Sequence, residues 1–463
     1  MTKVHFIGIG GSGLSAIARL LLESGYTVTG SDRELTPFAA ELKKAGATVH
    51  IGHDPANLGG AEWVIRSSAI PEDNVEVVAA RQAGIPVLKR SDFLGRLMDE
   101  KIGIAVAGTH GKTTTTAMIA WVLTELGSDP SFIVGSVMLN LGINAHAGKG
   151  TIFVIEADEY DNMFLGLKPR IEIITNLEHD HPDCFPTFDD MLGAFNSFVD
   201  LLPVDGSLIV CADDSGAASL VTRARTASKE VIAYTIKDEK TLNSPKWIRA
   251  REIRPNSLGG FSFEIASNLG AELEHLEVEL QVPGKHNVSN ALAVLVVIAL
   301  LGLSTGQAAQ ALNSFKGTGR RFELRGEAAG VMVIDDYAHH PSEIRATLAA
   351  ARTRYPQKRI WAVWQPHTYS RTKALFQEFV RAFKDADEVI VSEVYAAREP
   401  KEDFSSAEVV SAMSHTSARY ISSLEEISHY LLDHIQTGDV ILVLSAGDAD
   451  SISKQVLAGL EER

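Results

Sequence analysis

The sequence is poor in cysteine, has fewer basic than acidic residues, and lacks a long hydrophobic segment. Its only cysteines are Cys184 and Cys211, which excludes a disulfide framework and is typical of a reducing cytoplasm. The 43 Lys and Arg against 59 Asp and Glu give a net charge of -16, which argues against nucleic acid or an anionic membrane as a partner. The longest apolar run, 291–301, is too short to span a bilayer. We therefore expect a cytoplasmic protein with no membrane insertion.

The length and the order of strand-like and helix-like segments predict three α/β domains. A chain of 463 residues corresponds to about three domains of ordinary size, and its hydrophobic content of 45% is sufficient for buried cores. Short β-branched runs alternate with helical patterns in three blocks, which predicts mostly parallel sheets. The predicted domains are Rossmann-like at 1–98, P-loop ATPase-like at 99–317 and Rossmann-like at 318–463. Alternating segments within 228–280 predict antiparallel strands at the edge of the central sheet.

The first block opens with a glycine-rich turn, VHFIGIGGSG. Gly8, Gly10 and Gly13 have G-x-G-x-x-G spacing directly after a strand, and Asp32 stands at the end of the next strand. Such glycines let the backbone approach a pyrophosphate at a helix N-terminus, and the acidic side chain can accept a ribose hydroxyl. The motif predicts a site for a nucleotide diphosphate, with a ligand-free tight turn as the alternative.

The second block contains GTHGKTTTT, an irregular form of a phosphate-binding loop. A P-loop reads G-x-x-x-x-G-K-[ST], but Val106 stands where the first glycine belongs. Gly108 and Gly111 still permit a tight loop whose N–H groups face phosphate. Lys112 adds a positive charge, and Thr113 offers a hydroxyl to Mg²⁺. Because a strand precedes the loop and a helix follows it, the motif predicts an ATP site with shortened glycine spacing.

Acidic residues and a histidine follow the next two strands of this block. The segment IFVIEADEYD includes Glu156 at the strand end, where a carboxylate ligand of a nucleotide-bound metal belongs. The next strand leads into NLEHDHPD, which places His181 near the same edge. Because Mg²⁺ prefers oxygen ligands, the histidine indicates a second, softer divalent site or tolerance of Mn²⁺. Ordinary solvation of loop residues is the alternative.

In the third block, DDYAHHPSE and QPHTYSRT both follow strands, at the edge where ligands of open α/β folds bind. Histidines, tyrosines, an arginine and acidic residues are concentrated there, and helix capping by Ser342 and Ser370 is the alternative explanation. The preceding segment GTGRRFE places Arg320 and Arg321 at the junction of the second and third blocks. A cation at this junction can meet a transferring phosphoryl group.

Eight motifs, taken in order over the whole chain, resemble those of the Mur ligases of peptidoglycan synthesis: VHFIGIGGSG, GTHGKTTTT, EADEYD, NLEHDHPD, GKHNVSNALA, GRRFE, DDYAHHPSE and QPHTYSRT. The resemblance implies that the N-terminal domain binds a UDP-sugar, the central domain binds ATP and the C-terminal domain brings the amino acid. It implies that the lactyl carboxylate of UDP-N-acetylmuramate attacks the γ-phosphate of ATP, and that the amine of L-alanine then attacks the resulting acyl phosphate. Addition of glycine, L-serine or a preformed tripeptide, as in the murein-peptide ligases, is the alternative.

The resemblance also implies a role for each motif residue. The residues of the reaction itself are Lys112, Glu156, His181, Arg321 and His339. The ATP-binding residues are Gly108, Thr109, His110, Gly111, Lys112, Thr113, Thr114, His286, Asn290, Arg321 and Asp336. The UDP-sugar-binding residues are Gly8, Gly10, Gly11, Ser12, Gly13, Asp32, Ser67 and Ser68. The residues facing the muramoyl group or the amino acid are Tyr337, His339 and Arg371. The ligands of Mg²⁺ or Mn²⁺ are Thr113, Glu156 and His181.

Two other functions share part of this pattern. A nicotinamide-dependent oxidoreductase would use GIGGSG, but it leaves GTHGKTTTT and the third block without a role. A non-catalytic switch driven by ATP would not need the polar residues concentrated in DDYAHHPSE and QPHTYSRT. The ligase hypothesis uses all of these motifs.

Overall fold

The computed structural model describes residues 2–67, 69–237 and 244–462. Within these residues the strands form three sheets, in the order of the three sequence blocks. The predicted α/β fold class is therefore confirmed. No helix in this part of the chain is long and apolar enough to cross a membrane.

The N-terminal sheet is parallel throughout and has the strand order β3-β2-β1-β4-β5. This is a Rossmann-like order, which reverses between β1 and β4. Apolar side chains spaced three and four apart on α1 face the sheet, so this helix is buried along one side. The elements are β1 (Lys3–Ile7), α1 (Ser12–Glu23), β2 (Thr27–Asp32), α2 (Pro37–Lys44), β3 (Thr48–Ile51), a 3₁₀ turn (Pro55–Leu58), β4 (Trp63–Arg66), α3 (Val75–Gln82), β5 (Val87–Lys89) and α4 (Arg90–Leu97).

The central sheet has ten strands among the described residues, ordered β15-β14-β13-β12-β11-β10-β6-β9-β7-β8. Its elements are β6 (Ile102–Ala107), α5 (Lys112–Glu125), β7 (Ser131–Met138), β8 (Ile143–His146), β9 (Ile152–Glu156), a 3₁₀ segment (Tyr160–Gly166), β10 (Ile171–Ile174), α6 (Phe188–Val199), β11 (Ser207–Cys211), α7 (Ser215–Thr226), β12 (Glu230–Thr235), β13 (Lys246–Pro255), β14 (Phe261–Ser267), β15 (Glu277–Glu279), α8 (Lys285–Leu300) and α9 (Thr305–Asn313).

Seven neighbouring strands of this sheet, from β13 to β7, are parallel. Strands β14 and β15 are antiparallel, which confirms the predicted edge extension. The antiparallel β7–β8 pair at the opposite edge was not predicted. The apolar run at 291–301 forms most of α8, which packs with α5 in the interior and is therefore apolar on nearly all sides.

The C-terminal sheet has the order β16-β17-β21-β18-β19-β20, with β16 antiparallel and the other strands parallel. The predicted βα alternation is present, while β16 and the short β20 are additions to it. The elements are β16 (Glu323–Ala328), β17 (Val331–Asp336), α10 (Pro341–Arg354), β18 (Ile360–Trp364), α11 (Tyr369–Ala374), α12 (Phe376–Val380), β19 (Glu388–Val391), α13 (Ala407–Ala412), β20 (Ala418–Tyr420), α14 (Leu424–His434), β21 (Val440–Leu444) and α15 (Asp450–Glu461).

The domain limits at 98/99 and 317/318 stay a prediction. Near the first limit, α4 packs against the 3₁₀ segment of the central unit so closely that a side chain at Gly95 would collide with the carbonyl of Gly166. Near the second, the N–H of Leu139 donates to the carbonyl of Gly317, and the N–H of Gly319 donates to Val137. The segment that enters the C-terminal unit therefore runs alongside the end of β7.

Strand β10 carries an ionisable side chain inside the central core. Glu172 is fully buried, and in the described part of the chain neither of its carboxylate oxygens has a hydrogen-bond partner. Burial raises the pKa of Glu172 well above its ordinary value. The nearby ammonium of Lys229 acts in the opposite direction, but it is engaged with backbone carbonyls after α6. The buried carboxyl group of Glu172 therefore destabilises the folded state when it is ionised.

Glu172→Gln is expected to raise the free energy of unfolding near neutral pH by about 1–3 kcal/mol. The pKa of Glu172 is raised in the folded state, so folding favours the protonated carboxyl group. Stability is therefore full at low pH and is lost as the pH rises through the folded pKa. The gain from the variant should consequently vanish below the ordinary carboxyl pKa of about 4. Urea unfolding at several pH values measures this. Glu277→Gln, on exposed β15, is the matched control; equal effects of the two changes would contradict the explanation.

Candidate active site

The glycine-rich turn after β1 lies at the C-terminal edge of the N-terminal sheet, where the strand order reverses. The N–H of Gly10 donates to Asp32 Oδ2 at 2.7 Å, and the N–H of Arg33 donates to Asp32 Oδ1 at 2.8 Å. The carboxylate of Asp32 therefore shapes the loop itself, and its ribose contact stays a prediction. Gly8 has φ 86°, and a Cβ added there would lie 3.3 Å from Ser67 Cβ, so a side chain at Gly8 would be strained as well as crowded.

The remaining residues of this turn are placed around the start of α1. Gly11 is the N-cap residue of α1, and Ser12 is its first residue. Ser68 lies outside the described residues. The guanidinium of Arg90, the first residue of α4, covers Gly13 so closely that a side chain there would collide with it. Arg90 thus puts a cation at the helix N-terminus where a pyrophosphate is predicted, although it was not among the predicted site residues.

The irregular P-loop joins β6 to α5 and depends on its glycines. Gly108 has φ 127°, and a side chain at this position would collide with the hydroxyl of Thr175. Gly111, with φ 83°, is the N-cap residue of α5. The neighbouring N–H groups are held by Asn176, just after β10: Thr109 donates to its carbonyl, and His110 donates to its side chain. The shortened glycine spacing therefore still makes a tight loop before a helix N-terminus.

Two side chains at the start of α5 meet acidic residues at the end of β9 and just after it. Thr113 Oγ1 donates to Glu156 Oε1 at 3.0 Å, which brings together two of the predicted metal ligands. Lys112 Nζ donates to the carbonyl of Gly108 at 2.6 Å and to Glu159 Oε1 at 2.9 Å. Glu159 is only 1% exposed and was not among the predicted site residues.

The ion pair between Lys112 and Glu159 sets the charges next to the P-loop. Burial by itself would lower the pKa of Lys112, but Glu159 and Glu156 outweigh burial and raise it. Burial raises the pKa of Glu159, and the ammonium of Lys112 offsets part of that effect. His181, the third predicted metal ligand, has its Nε2 3.8 Å from Glu159 Oε1. It is thus joined to the P-loop through Glu159 and Lys112.

Arg371 reaches from α11 to the loop after β10. Its Nε and Nη2 donate to Asp180 Oδ1 at 2.9 and 2.7 Å, and both side chains are buried. Burial would raise the pKa of Asp180, but Arg371, His181 and His339 hold it well below its usual range. The Arg371 guanidinium also contacts His367, so its predicted substrate contact stays a prediction.

A cavity of about 560 Å³ is lined by residues of the P-loop and of the C-terminal unit. Eight of the predicted ATP-binding residues line it: His110, Gly111, Thr113 and Thr114 from the P-loop, His286 and Asn290 from α8, and Arg321 and Asp336 from the C-terminal unit. Burial lowers the pKa of His286 to about 4, with Arg321 adding to the effect, so this imidazole is neutral near neutral pH. The structure thus brings residues from three distant segments around one cavity large enough for a small ligand.

The residues that follow β17 form the C-terminal wall of the site. Asp336 accepts the N–H groups of Phe322 and Ala338 at 2.8 Å each, and burial raises its pKa to about 6. The ring of Tyr337 lies 5.2 Å from the guanidinium of Arg321. His339 Nδ1 lies 2.9 Å from the carbonyl of Tyr337, and burial lowers the pKa of His339 to about 3. Its imidazole is therefore neutral.

His110 is surrounded by acidic residues that the sequence argument did not single out. Its Nε2 lies 3.4 Å from Glu178 Oε2, and its Nδ1 lies 3.2 Å from Glu343 Oε1. Burial opposes the charged imidazolium, but the two carboxylates outweigh it and raise the pKa of His110 to about 9. His110, Glu178 and His340 also present potential metal-ligand atoms within 4.8 Å of one another. A cationic P-loop histidine is the state that these contacts favour.

The sequence alone carried only weak signals for the missed residues. Glu178 and Asp180 stand in NLEHDHPD, and Glu343 is the last residue of DDYAHHPSE, where the pattern N-cap-x-x-Glu is a capping-box signal. Those motifs were recognised, but choosing among their acidic residues requires knowing which residues of other segments face them.

Comparison with known proteins supports this picture over the length of the chain. Residues 3–102 match the Mur ligase family catalytic domain, 106–298 match the Mur ligase middle domain and 320–447 match the Mur ligase glutamate ligase domain. UDP-N-acetylmuramate–L-alanine ligase of Pelotomaculum thermopropionicum is 43% identical, over 99% of this chain and 98% of that protein.

Solved structures agree with the sequence comparison. The crystal structure of UDP-N-acetylmuramate–alanine ligase from Thermotoga maritima has a TM-score of 0.81 at 30% identity and covers 99% of both chains. A murein peptide ligase from Psychrobacter arcticus 273-4 has a TM-score of 0.73 at 28% identity, over 100% of this chain and 99% of the other. The P-loop, the cavity and these similarities define an ATP-dependent ligase. The chain belongs to the Mur ligase family.

Proposed function

We propose that this chain joins L-alanine to the lactyl carboxylate of UDP-N-acetylmuramate, with ATP, in the synthesis of peptidoglycan precursors. One observation carries the proposal: a chain 43% identical to UDP-N-acetylmuramate–L-alanine ligase encloses a cavity between its P-loop and its C-terminal unit. Attack of the carboxylate on the γ-phosphate gives an acyl phosphate and ADP. Attack of the L-alanine amine then forms the amide and releases phosphate.

The first step brings two anions together, so the site must supply positive charge. Lys112 lies at the P-loop and Arg321 lies across the cavity, where the two cations can offset the repulsion between the carboxylate and the triphosphate. The hydroxyl of Thr113 and the carboxylate of Glu156 offer adjacent hard oxygen ligands, the donor type that Mg²⁺ prefers. When bound there, Mg²⁺ would neutralise phosphate charge. His181, a nitrogen donor beyond Glu159, suits Mn²⁺ better.

The second step requires an amino-acid site that excludes water. His339 Nδ1 points at the carbonyl of Tyr337, so the neutral imidazole keeps Nε2 as an acceptor toward the muramoyl group or L-alanine. The Arg371–Asp180 pair connects this wall to the central unit. Docking of the two units would protect the acyl phosphate from hydrolysis.

The N-terminal unit is assigned the UDP-sugar. The glycine turn held by Asp32 supplies backbone N–H groups at the start of α1, and Arg90 supplies a cation beside them. Arg90 Nη1 is also 3.9 Å from Asp158 Oδ2 of the central unit. This contact supports a diphosphate site at the border between the N-terminal and central units. The cytoplasmic location stays a prediction that rests on composition.

The proposal is tested by phosphate release from the purified protein with ATP, Mg²⁺ and UDP-N-acetylmuramate, with and without L-alanine. Release is expected only with both the UDP-sugar and L-alanine. Parallel reactions replace L-alanine with glycine, L-serine or the L-alanyl-γ-D-glutamyl-diaminopimelate tripeptide. Faster release with the tripeptide would move the chain to the murein-peptide branch, and absence of release with every amine would refute the proposed reaction.

A further inference from the structure

We propose that Glu343 is a positioning residue of the ATP site: one of its carboxylate oxygens is fixed by the N-terminus of α10, and the other holds the P-loop histidine His110 and the junction residue Arg321 in place. This inference rests on the proposed function for its kinetic consequence. The geometry itself is independent of the proposed function, because it involves only contacts within this chain.

The first oxygen of Glu343 is held by local structure. Oε2 accepts the N–H of His339 at 3.0 Å and the N–H of His340 at 3.3 Å. His340 is the N-cap residue of α10 and Glu343 is at position N3, so the pair forms a capping box. The partial positive charge of the helix N-terminus further favours an ionised carboxylate at this position.

The second oxygen faces two cations from other parts of the chain. Oε1 lies 3.2 Å from His110 Nδ1 and 3.3 Å from Arg321 Nη1. Because Oε2 is already bound, rotation of the carboxylate cannot remove Oε1 from these cations without breaking the capping box. The helix end therefore sets where the P-loop imidazolium and the guanidinium lie.

The surroundings of Glu343 make this arrangement costly to change. The Glu343 side chain is 9% exposed, and His339 Nδ1 also lies 3.3 Å from Oε2. Burial would raise the pKa of Glu343, but His339, His110 and Arg321 hold it well below its ordinary value. The nearby carboxylate of Asp336 is also acidic, and the negative charge of Glu343 contributes to the raised pKa of Asp336. Two partners of the ionised Glu343, His110 and Arg321, thus line the proposed ATP cavity.

Glu178 has a different part in this cluster. It contacts His110 from the central unit itself and accepts the hydroxyl of Ser342 at 2.7 Å. Removal of Glu343 would therefore leave His110 one carboxylate, but Arg321 would lose its ion-pair partner on α10. We expect the geometry of the ATP site to degrade even though the imidazole keeps a partner.

The test compares Glu343→Gln with Glu343→Asp and with Glu378→Gln, a matched change at an exposed glutamate of α12. For Glu343→Gln we expect kcat for phosphate release to fall about 10²-fold, because cations that face the phosphates would be misplaced. The KM for UDP-N-acetylmuramate should not change. Glu343→Asp keeps the charge and should recover part of the activity, and Glu378→Gln should behave as the wild type.

A second readout follows the geometry without turnover. The protonation of His110, followed by histidine NMR with His110→Gln as the assignment control, should have a lower midpoint pH in Glu343→Gln than in the wild type. Unchanged kcat together with an unchanged His110 midpoint would overturn the proposal, as would loss of UDP-sugar binding in proportion to activity, which would indicate general unfolding. If the wild type releases no phosphate with any amine, the proposed function fails while the NMR measurement still decides the role of Glu343.

Discussion

Lys112→Ala is expected to lower kcat/KM for phosphate release by about 10²–10³-fold or more, while UDP-N-acetylmuramate still binds. The ammonium of Lys112 lies at the P-loop, and we expect a triphosphate bound there to lose this cation when the side chain is truncated. The hydrogen-bond partners of the Lys112 ammonium are Gly108, Thr109 and Glu159, all in the central unit. UDP-sugar binding at the glycine turn of the N-terminal unit should therefore be unaffected. Phosphate release and calorimetric binding of the UDP-sugar measure the two effects separately.

The same substitution also affects stability, so its kinetics need a control. Truncation leaves Glu159, which is 1% exposed, without its ammonium partner, and breaking a buried pair in this way costs about 3–5 kcal/mol. The double variant Lys112→Ala Glu159→Gln removes the unpaired charge and should regain most of that stability without regaining activity. Loss of UDP-sugar binding in the folded double variant would contradict two separate nucleotide sites.

Arg371→Ala is expected to be the most destabilising single change between the central and C-terminal units. It leaves Asp180 buried without the guanidinium that donates to it twice, which costs about 3–5 kcal/mol. Activity should fall with it, because the two walls of the cavity are no longer held together. Thermal unfolding and phosphate release on the same samples measure both consequences.

The double variant Arg371→Ala Asp180→Asn distinguishes the ion pair from a substrate contact. Replacement of the buried carboxylate should restore much of the lost stability. If Arg371 only holds Asp180, activity should return as well; if it also binds the amino acid, KM for L-alanine should stay raised. Unchanged stability of the single variant would contradict the structural role altogether.

The pH dependence of this pair has a definite sign. The folded pKa of Asp180 is depressed, so the ionised carboxylate contributes stability above its ordinary pKa of about 4, and this contribution is lost as the pH falls through the folded value. The wild type should therefore lose stability in acid more steeply than the Arg371→Ala Asp180→Asn variant. Urea unfolding at acidic pH values measures the difference.

The fold was largely accessible from the sequence, since its signals are local. The alternation of strands and helices, the glycine turns after β1 and β6, and the antiparallel pattern of β14 each depend on neighbouring residues. The β7–β8 pair was missed because its strand segments carry no clear alternation. The short β20 was missed because its three residues are too few to show a pattern.

The candidate site was accessible only in part. Motif residues such as Thr113 and Glu156 follow strands, and parallel strands end at a common edge, so their proximity could be anticipated. Asp32 was predicted to contact a ribose, which stays a prediction, and the structure shows in addition that its carboxylate accepts the N–H of Gly10. Acidic residues compete for local N–H groups as well as for ligands, and sequence spacing does not distinguish the two.

The sequence by itself determined the class of fold, the positions of both glycine-rich turns and the family of the protein, because each depends on residue types at short spacing. Only the tertiary structure decided which charges meet. Lys112 pairs with Glu159 across 47 residues, and Arg371 pairs with Asp180 across 191. The ionisation state of each buried group depends on the partner and on the depth of burial, and both are properties of the packed chain that no local pattern encodes.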